Sequence, residues 1–108
     1  VKPKYVYVAG PYSSDPVLGT RAAIEAADWL AQRGFVPFIP HLTHFWHFLI
    51  PHPYEFWLEQ DLEWLKKCDA LLRLPGESSG ADREVTMART WHIPVFFDVA
   101  DLLDWRPT

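Results

Sequence analysis

The sequence predicts a three-layer α/β domain, flavodoxin-like or Rossmann-like, with four main strands in a parallel sheet of order 2-1-3-4. Three observations predict it. Short apolar runs rich in β-branched and aromatic residues recur along the chain, stretches with helical apolar spacing separate them, and glycine or proline marks many of the junctions. Strand–helix–strand units of this length favour parallel pairing through a right-handed crossover. At 108 residues, one domain spanning 1–108 with one core is expected.

The first strand is Tyr5–Ala9, stopped by Gly10-Pro11. Asp15-Pro16 then offers an N-cap followed by proline at the first helical position, and Ala22, Ala23, Ala26, Ala27 and Leu30 carry the helical period until Gly34 ends it. Phe35–Ile39 reads as a second strand, and Pro37 inside it predicts an edge position, where a missing N–H is tolerated. The stretch from Pro40 to Pro53 reads as a long ordered loop with room for a short helix, placed to shape a pocket. Its His41, His44 and His47 are spaced by three, but no acidic residue accompanies them, so ordinary hydrogen bonds are expected and a metal is not.

Tyr54 to Lys67 has the clearest helical pattern, with Trp57, Leu58, Leu62, Leu65 and Cys68 on one face. Asp61 falls within that face. A carboxylate there is either tied to donors or held for a purpose, or it reaches solvent from the helix edge. Asp69–Leu74 gives the third strand, Ala81 to about His92 a third helix with Val85, Ala88 and Trp91 turned inward, Ile93–Phe97 a fourth strand, and Asp98–Trp105 a short last helix.

Composition narrows the function classes. With 49% hydrophobic and 16% aromatic residues, a packed core is expected rather than disorder. A net charge of -4 argues against a nucleic-acid polymer as partner, although helix termini can hold a single phosphate. One cysteine, Cys68, gives no disulfide framework and fits a reducing compartment. The apolar run at Tyr5–Ala9 is too short for a signal-peptide core, and no run approaches membrane-spanning length. The expectation is a cytoplasmic protein without a membrane partner.

The polar loop from Leu74 to Glu84 lies where a strand end meets a helix start, the usual ligand crevice of an open parallel sheet. Two readings of it stand side by side. In one, Ser79 caps the helix, Asp82 completes a capping box and Glu84 is a surface acid. In the other, Glu84 sits in or just after the first turn, is kept ionised by the helix dipole, and faces a ligand as nucleophile or base.

Four motifs in order resemble the nucleoside 2-deoxyribosyltransferase superfamily, which includes 2'-deoxynucleoside 5'-monophosphate N-glycosidases and small deoxyribosyltransferase-like proteins. They are Tyr7–Ser13 at the first strand end, Asp61–Leu65 in the middle helix, Cys68-Asp69-Ala70 before the third strand, and Ser78–Glu84. The resemblance implies that Glu84, four residues after Gly80, attacks the anomeric carbon of deoxyribose. It implies that Asp61 holds the sugar and assists protonation, and that Tyr7 lies near the nucleophile. It makes Gly10, Tyr12, His41, Ser78, Ser79 and Gly80 substrate-binding residues, with Ser78 in the place where the monophosphate glycosidases carry a phosphate-binding serine. Base stacking is expected from Phe45, Trp46 and Phe48, and positive charge from Arg83, Arg89 or Arg106.

The chain departs from the pattern at Asp82, where the second loop glycine usually stands, and at Thr86, where glycine commonly follows. Many relatives also carry a carboxyl-terminal segment, beyond the fourth strand, that helps complete a neighbour's site. The resemblance implies a homodimer or larger assembly and a small nucleoside or nucleotide substrate.

An oxocarbenium-like transition state needs one negative carboxylate and one proton donor, so no cofactor is required. The expected activity is cleavage or transfer at the N-glycosidic bond of a 2'-deoxyribonucleoside or its 5'-monophosphate. Two alternatives are a non-catalytic nucleotide-binding module and a ribonucleotide phosphoribohydrolase.

Overall fold

The structure is a computed structural model that describes residues 4–106. The ends of the expected domain, residues 1–3 and 107–108, lie outside the described residues. Strand β1 (Lys4–Ala9) takes a central position because its last four residues are apolar enough to be covered on both faces. It pairs in parallel with β2 (Phe35–Phe38) on one side and β3 (Ala70–Arg73) on the other, and β3 pairs with β4 (Val95–Phe96). The order β2-β1-β3-β4 is the predicted one. Pro37 lies in β2 at the sheet edge, as its missing donor requires.

The alternating side chains of β1 divide the core into two layers. Val6 and Val8 pack with Ala70 and Leu72 beneath helix α1 (Pro16–Ala31), where Leu102 of the short last helix (Val99–Asp104) joins them. Tyr7 and Ala9 pack on the opposite face with Leu71 against Leu65 and Val85. These come from helices α3 (Tyr54–Lys66) and α4 (Ser79–Thr90). Between β2 and α3 the chain makes a 3-10 turn (Pro40–Thr43) and the six-residue helix α2 (His44–Leu49), and the last helix is α5.

Local signals explain most boundaries. Asp15 caps α1 through Leu18 N at 3.1 Å, and Asp98 caps α5 through Ala100 N at 2.9 Å. β4 is shorter than expected because the Ile93 N–H closes the end of α4 on the Ala88 carbonyl and Pro94 has no N–H to give. The cap of α4 is Ser78, one residue before the expected Ser79. The Ser78 backbone is extended and its Oγ accepts from Ala81 N at 3.1 Å. The helix therefore begins two residues earlier than predicted.

The loop after β1 is pressed against α1 at Gly19, where a Cβ would overlap the Pro11 carbonyl oxygen. We expect Gly19→Ala to push α1 from the Gly10–Tyr12 loop and to cost about 1–3 kcal/mol in chemical denaturation. An unchanged midpoint would show that this approach is not tight.

Candidate active site

The carboxyl ends of β1, β2 and β3 open into a pocket of about 520 Å³. Gly10 and Tyr12 line it from the loop after β1, His41 from the turn after β2, and Ser78, Ser79 and Gly80 from the loop and first turn after β3. Asp61 and Trp57 reach it from α3, and Glu84 from α4. Asp61 and Glu84, separated by 23 positions in the chain, therefore face one hollow because α3 and α4 pack side by side over the same sheet face. Of the residues expected to be catalytic, Tyr7 does not line the pocket. It lies fully buried behind Glu84, and its hydroxyl donates to Glu84 Oε2.

Burial governs the charge state of this group. Glu84 is in the second turn of α4, so its own N–H is inside the helix and the dipole effect expected at the first turn does not decide its state. Burial pushes its carboxyl up to about 7, while the Tyr7 hydroxyl and then the Arg73 guanidinium draw it down. Burial, and then the neighbouring Glu84 charge, push Asp61 up to about 8. Asp61 Oδ1 is buried without a protein hydrogen-bond partner among the described residues. Burial first, then Glu84 and Asp61, hold the Tyr7 phenol well above its ordinary value, so it remains a donor. One carboxylate carries a bound donor and the other an unpaired buried oxygen, which is the asymmetry that separates a base or nucleophile from an acid.

Four imidazoles, of His41, His44, His47 and His52, also line the pocket. His41 is 5% exposed, and its Nε2 lies 3.2 Å from both the Gly10 and Pro11 carbonyl oxygens. Carbonyls only accept, so Nε2 carries the proton, and the buried Nδ1, without a hydrogen-bond partner among the described residues, is left as an acceptor. Burial lowers the His41 pKa and keeps the ring neutral.

His47 Nδ1 accepts from Trp57 Nε1 at 2.7 Å and from His52 N at 3.2 Å, so its proton sits on Nε2. His44 Nδ1 bonds the Tyr12 hydroxyl, whose pKa burial raises. Each of the three evenly spaced histidines is thus engaged with a protein group. Among the described residues no group of three or more His, Cys, Asp or Glu side chains is placed to hold a metal ion.

Several expectations are corrected. Phe45, Trp46 and Phe48 do not line the pocket: Phe45 and Phe48 stack on each other at 6.3 Å on an exposed surface, and Trp46 packs edge-on to Trp57. The aromatic lining comes from Trp57, Tyr12, Tyr54 and the histidines instead. A six-residue helix between prolines carries too little periodicity to reveal which side faces the pocket. Arg83, Arg89 and Arg106, expected to bring positive charge to the site, do not line the pocket, and the arginine that draws the Glu84 carboxyl down is Arg73. Asp82 does not line the pocket, and its carboxylate pairs with Arg73 at 3.0 Å. Sequence reading missed Arg73, although one arginine inside the apolar run Ala70–Leu74, which the structure buries throughout Ala70–Arg73, needs an internal partner.

The family model described as Domain of unknown function (DUF7768) matches residues 4–98. No curated protein matches the chain in sequence. Among solved structures it is similar to a 2-deoxyribosyltransferase from Leishmania mexicana, with a TM-score of 0.67 and 20% identity, covering 86% of this chain and 62% of that one. It is also similar to the 2-deoxyribosyltransferase of the psychrotolerant bacterium Bacillus psychrosaccharolyticus, with a TM-score of 0.65 and 21% identity, covering 84% of this chain and 69% of that one. The chain thus spans less than two thirds of the length of the Leishmania mexicana protein. These likenesses show the fold, a four-stranded parallel α/β sheet shared with deoxyribosyltransferase structures. Among the described residues no helix is long and apolar enough to cross a membrane.

Proposed function

The chain belongs to the family described as Domain of unknown function (DUF7768), and from that premise we propose that it cleaves or transfers at the N-glycosidic bond of 2'-deoxyribonucleosides or their 5'-monophosphates. One observation carries the reading: Asp61 and Glu84 open into the same pocket, Glu84 bonded to a buried phenol and Asp61 with a buried oxygen that has no partner among the described residues. The fold shared with two 2-deoxyribosyltransferase structures supports the same chemistry.

Glu84 attacks the anomeric carbon through Oε1 while Tyr7 holds Oε2. The electrons of the breaking C–N bond leave with the base, and Asp61, protonated at neutral pH, delivers a proton to it. The resulting ester on Glu84 passes its deoxyribosyl group to water or to a second base. His41 Nδ1, an acceptor without a partner, takes a substrate hydroxyl. Ser78, Ser79 and Gly80 meet the 5' end, where Ser78 keeps its hydroxyl proton to donate while its oxygen caps α4. Gly10, Tyr12, Trp57 and His47 enclose the rest of the ligand. The smallest unit proposed is residues 1–108, in the cytoplasm, as a homodimer or larger.

The test is incubation with a panel of deoxynucleosides and deoxynucleotides, with and without a second base, read by chromatography. Free or exchanged base is expected. Release from AMP in preference to dAMP would favour a phosphoribohydrolase, and tight calorimetric binding with no product would favour a nucleotide-binding module. Asp82, the loop's departure from the resembled pattern, turns to Arg73 rather than into the pocket and so leaves the nucleotide-binding module no support from that position.

Tyr7→Phe removes the donor that draws the Glu84 carboxyl down. The acid limb of kcat/KM should therefore move to higher pH, and activity near neutrality should fall by about 10- to 100-fold, the worth of one bond to a buried carboxylate. An unmoved acid limb would remove the Tyr7–Glu84 bond from the mechanism.

A further inference from the structure

Arg73 is a buried cation that the bond-breaking step does not use. It ends β3, and its side chain is 8% exposed. Nη1 donates to the Leu74 carbonyl, while Nη2 donates to the Gly76 carbonyl at 2.9 Å and to Asp82 Oδ1 at 3.0 Å. A planar fork can bind all three at once, which an ammonium on a flexible stem does less well.

The two carbonyls belong to the loop that brings Ser78 and Ser79 to the pocket, and the carboxylate lies in the first turn of α4, two residues before Glu84. The loop is also fixed on its other side. Gly76 has φ +112°, and a Cβ there would meet Pro11 Cγ at 2.8 Å, so the bend around the guanidinium needs glycine.

We propose that Arg73 and Asp82 act as a positioning pair for Glu84, in which Arg73 braces the loop and α4 while its positive field favours the ionised nucleophile, and Asp82 moderates that field. The pair accounts for an aspartate where the resembled loop pattern has glycine. It rests on the reading above for the role of Glu84, but the ionisation of Glu84 is measurable without turnover.

The groups that act on Glu84 come from four elements. Tyr7 from β1 donates a hydrogen bond to it, Asp61 acts from α3 and Arg73 from β3, while Asp82, two residues earlier on Glu84's own helix and turned away from the pocket, reaches it only through Arg73. Cys68, beside this cluster, acts on Tyr7 rather than on Glu84. Tyr7 stays neutral, so Arg73 is the charged group among these that favours an ionised Glu84.

The experiment is a carbon-13 titration of the Glu84 carboxyl by NMR in the wild type, Arg73→Gln, Asp82→Asn and Asp82→Glu, with thermal melting and kcat/KM against pH alongside. Loss of the Arg73 charge should raise the Glu84 midpoint by about one pH unit, the lower end of what an adjacent arginine does to a carboxyl. Asp82→Asn leaves the arginine charge unmoderated and should lower the midpoint, and Asp82→Glu should restore it. A brace with no electrostatic role predicts otherwise: both Arg73→Gln and Asp82→Asn lower the melting temperature, and the midpoint either stays put or drifts down in both as water enters. That pattern would overturn the proposal. If Arg73→Gln does not fold, the exposed Asp82 decides: a midpoint lowered in Asp82→Asn at an unchanged melting temperature supports the proposal, and a midpoint that stays put, or falls only together with the melting temperature, overturns it. A wild-type protein that releases no base defeats the reading of the site, while the titration still decides this pair.

Discussion

Glu84→Gln is expected to lower base release by about ten-thousand-fold or more while leaving a folded protein, the scale on which loss of a covalent nucleophile falls in other enzymes. The amide keeps the shape of the carboxyl and an oxygen for the Tyr7 hydroxyl, so the buried phenol is not orphaned. It cannot form the ester. Because Glu84 is buried and pushed up to about 7, the amide also removes the cost of housing a charge there, and the variant should melt no lower than wild type at pH 8. Loss of activity with retained melting temperature assigns chemistry to the side chain. Retained turnover would show that the bond breaks without Glu84.

Asp61→Asn is the second large effect, and it has two readouts. Turnover requires Glu84 ionised and Asp61 protonated, so kcat/KM against pH should form a narrow bell with limbs near about 7 and about 8. Removing the acid should cost about 100- to 10,000-fold, the usual span for general acid catalysis, and should abolish the alkaline limb.

Stability follows the same carboxyls. Both have folded pKa values raised above the unfolded ones, so each binds its proton more tightly in the folded state. The stability they contribute is fully present below about pH 4, where the unfolded groups are also protonated, and is lost as pH rises through about 7 and about 8. Wild type should therefore melt lower at about pH 8.5 than at about pH 5, and Asp61→Asn should reduce that difference and gain about 1–3 kcal/mol at the higher pH. An alkaline limb and a melting profile that both survive the substitution would take Asp61 out of the proton chemistry.

The parts of this molecule that were legible in the sequence are those written in periodicity and punctuation. Alternation of apolar runs with helical stretches carried the sheet order, Pro37 placed β2 at an edge, and Asp61 on an otherwise apolar face pointed to the pocket. What was not legible depends on backbone angles and packing. Adjacent serines offer the same hydroxyl, and only the extended backbone at Ser78 decides which one caps α4. The surroundings of Glu84 were not legible, because its two-residue displacement within α4 exchanges a helix-end dipole for burial. Arg73 stayed hidden because its partners are two loop carbonyls and an aspartate nine residues on, and no local pattern encodes that closure.

The most direct test of the account is peptide mass spectrometry of protein quenched during incubation with deoxynucleosides. It should find one deoxyribosyl group esterified to Glu84, in step with free base and absent from Glu84→Gln. Base release with no such ester on Glu84, or an unmodified protein that binds the panel and releases nothing, would contradict it.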